Sequence, residues 1–170
     1  MAGADLSMRV AGSAALDARL AALAAANGDL SDLMDGLGLY LESSTIERFD
    51  TETAPDGSGW TPSRRAREQG GKTLTDSARL KLSISHRSSA TDAEVGTNVI
   101  YAAIHQYGGT IRPKNGEFLT FALPGGLGLR RVREVIMPAR PFLGISDEDE
   151  QELLALTEDY QRDAVPEIDG

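Results

Sequence analysis

The sequence predicts an α+β fold with an N-terminal helical pair, a small antiparallel β-sheet with a short helix, extended loop arms and a C-terminal helix. Three observations carry this expectation. Leucines recur at helical spacing between Leu16 and Leu41 and again near the C-terminus. Short runs of alternating apolar and polar residues lie between them, as half-buried strands require. With 18 Gly and 7 Pro in 170 residues and only 5% aromatics, a modest core is broken by many turns.

Taken in order, Leu6, Met8 and Val10 alternate with polar neighbours as a strand that stops at Gly12, and Ser13 is placed to cap a helix. Leu16, Leu20 and Leu23 form one apolar stripe of that helix, which ends at Asn27 and Gly28. The stripe is assigned to core burial rather than to a partner. Leu30, Met34, Leu37 and Leu41, flanked by Leu33 and Tyr40, carry a second helix toward Phe49, and Asp29, Asp32 and Asp35 suit the positive end of its dipole. So short a connection predicts an antiparallel pair.

Periodicity is lost over 51–75, too long for a casual connection and basic through Arg64, Arg65, Arg67 and Lys72. This segment is read as an interaction arm. Its Trp60, the single tryptophan, either anchors the arm to the core or forms a hot spot at an interface. Leu80, Leu82 and Ile84 then predict a half-buried strand, 87–92 a turn and 93–97 the returning strand. Asn98 is expected to cap a short helix that carries Ile100, Ile104 and Tyr107 on one side and ends at Gly108 and Gly109. Leu119, Phe121 and Leu123 mark a further strand, with a turn over 124–128 and residues 132–137 pairing back. Ser146, followed by four acidic residues, reads as the N-cap of a helix with Leu153, Leu156 and Tyr160 on one face. The chain is thus one domain over 1–165, with extended arms at 51–75 and 110–117, and a flexible tail at 166–170.

Sites of chemistry are scarce. The absence of cysteine removes disulfides, thiolate metal sites and thiol nucleophiles. Gly71, Lys72 and Thr73 resemble the end of a phosphate loop, but Ala66 stands where its first glycine belongs. Asp50, Glu52 and Asp56 suggest a calcium loop, but Pro55 occupies the required glycine position. The acidic run after Ser146 is explained by capping, since metal ligands must converge rather than fan around a helix. His86 and His105 are the only imidazoles, and no serine has the context of a hydrolase elbow. His105 follows Tyr101 by one helical turn, so packing or hydrogen bonding suits it better than catalysis. No catalytic, cofactor or metal residues are assigned, and no cofactor is expected.

No run approaches the roughly 20 apolar residues of a membrane span. Nor does a basic start lead into a hydrophobic block, so the N-terminus is expected to belong to the working protein. The net charge of −9 argues against a duplex DNA binder held by phosphate neutralisation. Its distribution is uneven, −7 over 1–63, +7 over 64–140 and −9 over 141–170. These are either solvated blocks or complementary faces on neighbouring subunits.

Three stretches carry a family resemblance: LMDGLGLYLESSTIERFDTETAPDGSGW at 33–60, GTNVIYAAIHQYGG at 96–109 and MPARPFLGIS at 137–146. In order and spacing they resemble the bacteriophage virion morphogenesis family, the tail-completion proteins of Mu-like phages and their relatives. The likeness departs at 72–79, where members carry a Thr-Gly pair and this chain has Thr75 and Asp76. The resemblance implies a non-enzymatic virion protein of the tail and neck, assembled in the bacterial host cytoplasm. It would act as a tail terminator, closing the head-proximal end of the tail and enabling head–tail joining.

Implied partners are further copies of the chain in a hexameric ring, the head–tail connector and the tail tube proteins, with packaged DNA passing through the lumen and no membrane. A ring needs one face of each subunit to match another face of its neighbour, as opposed charge blocks can. The candidate interface residues are Trp60, Arg64, Arg65, Arg112 and Lys114. Two rival functions follow from the residues alone: a nucleic-acid-binding module using the 13 Lys and Arg of 64–140, and a histidine-dependent hydrolase.

Overall fold

A computed structural model of the chain describes residues 6–8, 14–122 and 128–164. The elements are β1 (Leu6–Met8), α1 (Ala14–Asn27), α2 (Ser31–Thr51), α3 (Arg64–Gln69), β2 (Ser85–Ser88), β3 (Ala93–Thr97), α4 (Ala102–Tyr107), β4 (Gly109–Ile111), β5 (Leu119–Ala122), β6 (Leu129–Val132), β7 (Val135–Met137) and α5 (Asp147–Ala164). The architecture is α+β, and every strand pair is antiparallel. The expected caps and turns at Ser13 and 124–127, the strand ends at Val10 and Leu123, and the tail at 166–170 lie outside the described residues.

α2 is the central element. Leu33, Met34, Leu37, Leu41 and Phe49 are buried along it, as their spacing predicts, and its N-terminus is tied down by Asp29, whose carboxylate accepts from the Ser31 amide at 2.9 Å. The sheet β1-β3-β2 packs against one side of α2, and α5 packs against another. α1 docks on α5 and has little direct contact with α2, so the expected close antiparallel packing of the two N-terminal helices is not made, and the C-terminal helix is the support they share. Gly38 sits where α2 meets β2: a Cβ there would lie 2.8 Å from the His86 ring, so only glycine admits this approach.

Three further expectations are corrected. The run Leu80, Leu82, Ile84 is not a strand; Lys81–Ser83 is a 3-10 turn and the strand begins at Ser85. Leu80 and Ile84 are buried while Leu82 is 78% exposed, because residues four apart share a face in a helical turn as well as in a strand. Asn98 does not cap α4, whose N-cap is Tyr101; Thr97 Oγ1 accepts from the Val99 amide instead, α4 buries Ala102 and Gln106, and Val99 is buried just ahead of it. Ile100 and Tyr107 face solvent. Finally, 132–137 does not pair back as one strand. β5 pairs with β6, a bend at Arg133 redirects the chain, and β7 pairs with β4.

Several other features stand as read. Gly108 and Gly109, at φ +68° and +140°, stop α4 and turn the chain into β4. Ser146 and Asp149 cap α5 reciprocally: Ser146 Oγ accepts from the Asp149 amide at 3.1 Å and Asp149 Oδ2 accepts from the Ser146 amide at 2.8 Å. Among the described residues no helix is long and apolar enough to cross a membrane.

Candidate functional site

The stretches 33–60, 96–109 and 137–146 meet at one joint. Phe49 and Phe142 are fully buried with ring centroids 5.3 Å apart, and Trp60 meets Phe49 edge-on at 5.4 Å. Trp60 Nε1 donates to Pro141 O at 2.9 Å. From α4, Gln106 Oε1 accepts from the Phe142 and Leu143 amides at 2.9 and 3.0 Å while its Nε2 donates to Leu143 O at 2.8 Å. Arg48 Nη1 donates to Phe142 O and Gly144 O, both at 2.9 Å, and Nη2 pairs with the Asp149 carboxylate. Burial pushes the Asp149 carboxyl up, but hydrogen bonds from Ser44 and Ser146 and the Arg48 charge outweigh it and hold it below the ordinary carboxylate range. Nearly every polar atom at this joint is satisfied within the subunit, so its work is to hold the fold.

The two histidines do not form a catalytic constellation. His86 lies between α2 carboxylates, Nδ1 2.7 Å from Glu42 and Nε2 3.3 Å from Asp35, and the Glu42 hydrogen bond raises its pKa against a smaller desolvation effect. His105 stacks edge-on with Tyr101 at 5.9 Å, the packing role its spacing suggests; burial and then the Arg140 charge lower its pKa. Among the described residues no group of three or more His, Cys, Asp or Glu could hold a metal ion.

Residues 103–139 make a different surface. Apart from Gln106, whose amide reaches the joint, no described side chain of this stretch enters the hydrophobic core, which draws on α1, α2, the 54–102 region and the chain after Arg140. Ile111, Phe121, Leu129 and Ile136 are exposed there, the last two at 74%, and the Tyr107 ring is exposed as well. The same segment carries Arg112, Lys114, Arg130, Arg131 and Arg133. Arg131 and Arg133 stack over Phe118, with the Arg131 guanidinium 4.6 Å from the ring. Apolar side chains exposed among arginines are the composition of a protein interface.

The five candidate interface residues fall in different places. Trp60 is only 6% exposed and serves as the anchor of the two roles open to it. The 51–75 arm is folded onto the body: Ser63 caps α3, Thr73 is fully buried, and Arg140 Nε donates to Thr61 O. Arg64 pairs with Glu68 on the surface, whereas Arg65 pairs with Asp76 and donates to the Gly70 carbonyl. Arg112 is exposed and pairs with Glu134 across the β4–β7 side; Lys114 is exposed with no partner among the described residues. Sequence reasoning missed Arg130, Arg131, Arg133, Phe118 and Phe121 as a group. The signal was the run LGLRRVRE at 127–134, whose three arginines are interspersed with Leu129 and Val132.

Comparison with known proteins bears on this surface. The model of the phage virion morphogenesis family matches residues 12–161. The Mu-like prophage FluMu G protein 2 of Haemophilus influenzae is 33% identical over 138 residues, 81% of this chain and 83% of that protein. No solved structure matches the chain.

Proposed function

Because the chain belongs to the phage virion morphogenesis family, we propose that it is the structural protein that completes the head-proximal end of a phage tail and permits joining to the filled head. The observation that carries the reading is the reach of the family match, which covers the joint at Phe49, Trp60 and Phe142 and the exposed basic segment together. The joint gives a rigid body; the segment gives a surface suited to other proteins of the particle. In this reading the protein works without turnover, as a ring of identical subunits, hexameric by the usual symmetry of tails, between connector and tail tube. The net charge of −9 would keep passing DNA from adhering to the ring.

Disruption of the gene in the phage, followed by electron microscopy, tests the assignment. Filled heads and finished-looking tails that remain separate are expected. Normal, joined and infectious particles without the protein overturn it. Replacing both His86 and His105 by alanine in a protein that still folds is expected to leave joining intact.

A further inference from the structure

Resting on that assembly role, the geometry points to a specific contact between copies. The face of the β5–β6 ribbon that carries Phe121 and Arg130 seats in the acidic groove between α2 and the start of α5 of the neighbouring subunit. The ribbon gains little support from the other helices and strands. Its two strands pair with each other, all their residues but Leu119 and Val132 are exposed, and an isolated two-stranded hairpin is marginal in water.

Cross-strand register sorts its side chains. Leu119 opposite Val132 and Phe121 opposite Arg130 share one face; Thr120 opposite Arg131 and Ala122 opposite Leu129 share the other. The second face is partly occupied, because Arg131 and Arg133 cover Phe118. On the first face Phe121 remains 39% exposed, and Arg130 has no ion-pair partner among the described residues. A large ring beside an unpaired guanidinium is the usual make-up of an interface anchor.

The complementary surface lies at the far end of the charge distribution. A cavity of about 290 Å³ opens between α2 and α5, lined by Tyr40, Ser43, Glu47, Pro55 and Glu148. Arg48 is already matched by Asp149, so Glu47 and Glu148 leave the groove negative. Its apolar patches at Tyr40 and Pro55 suit an aromatic ring, and its rim suits a cation. Ribbon and groove are different surfaces of one chain, so the contact is head-to-tail, the type that closes rings.

The cysteine-free chain makes a clean test. Full-length protein carrying Val132→Cys on the ribbon face and Ser43→Cys at the groove is incorporated into particles and oxidised. A ladder of covalent oligomers is expected, absent from either single variant beyond a dimer. Particles that contain the protein but yield no ladder overturn the ribbon contact and leave the assembly role standing; particles that lack the protein overturn the role itself. In the purified protein, Arg130→Glu is expected to weaken self-association by about tenfold or more, with recovery when it is mixed with Glu47→Arg. A protein that never self-associates, but whose ribbon binds a duplex DNA oligonucleotide in an Arg130-dependent way, sinks the contact in favour of a nucleic-acid surface.

Discussion

Removing the Arg48 guanidinium is the most searching test of how the subunit is held together. Arg48→Met keeps most of the buried stem but strips the Phe142 and Gly144 carbonyls of their donor and leaves Asp149 without its counter-charge. An unsatisfied buried acceptor costs about 1–3 kcal/mol. Gly144 is half-exposed, so water can replace one lost bond, and Ser44 and Ser146 still donate to the carboxylate. The sum therefore falls near the cost of breaking a buried pair, about 3–5 kcal/mol.

Urea unfolding followed by circular dichroism at neutral pH measures it, with an unchanged slope showing that both states keep their compactness. Arg48→Met, Asp149→Leu and the double variant form a cycle in which the double costs clearly less than the sum of the singles. Acid titration adds a second readout. The folded Asp149 pKa is depressed, so its contribution is present above the unfolded value of about 3.9 and is lost as pH falls through the lower folded value. The wild type should thus lose more stability on acidification than Asp149→Asn. A cost below about 1 kcal/mol for Arg48→Met, or strict additivity in the cycle, would refute the joint as described.

Other outcomes follow from the same structure. Gly108→Ala should destabilise by about 2 kcal/mol or more, since φ is positive and a Cβ would sit 2.7 Å from the Ala139 backbone nitrogen; thermal melting reads it. Trp60→Ala should cost about 3–5 kcal/mol, and native Trp60 should emit blue-shifted fluorescence that moves red on unfolding. The His86 pKa is raised in the folded state, so its stabilisation is complete below about pH 6.5 and disappears as pH rises through the folded value. A proton NMR titration of wild type and Glu42→Gln checks this, the variant titrating lower.

How far the sequence could be read depended on whether a pattern had one geometric solution. The α2 stripe from Leu33 to Phe49 had only one, and the apolar side chains it buries are those its period names, whereas the buried Thr45 and Arg48 were not foreseen. Leu80, Leu82 and Ile84 had two, and only the exposure of Leu82 separates them. In α4 the inward face is held by the Gln106 amide and the small Ala102, because the backbone of Phe142 and Leu143 needs hydrogen bonds more than apolar cover; hydropathy is blind to that demand. Asp149 looked like one acid among four at a helix start, and its capping role was legible, but its pairing with Arg48 spans more than half the chain. The ribbon was legible as a hairpin from the alternation at Leu119 and Phe121, but its return strand was set at 132–137 instead of Leu129–Val132 and its arginines were passed over, because residues with no place in the core leave no burial period to fix the register.

That last property has a consequence for how the polypeptide can change. Exposed ribbon side chains such as Phe121, Leu129 and Arg130 take no part in the hydrophobic core, so they can be exchanged at little cost to the body's fold. Amide hydrogens of the isolated ribbon should exchange with solvent far sooner than those of α2, a fast province attached to a slow one. A lineage that needs to fit a new neighbour can therefore rewrite the fast province and inherit the slow one intact.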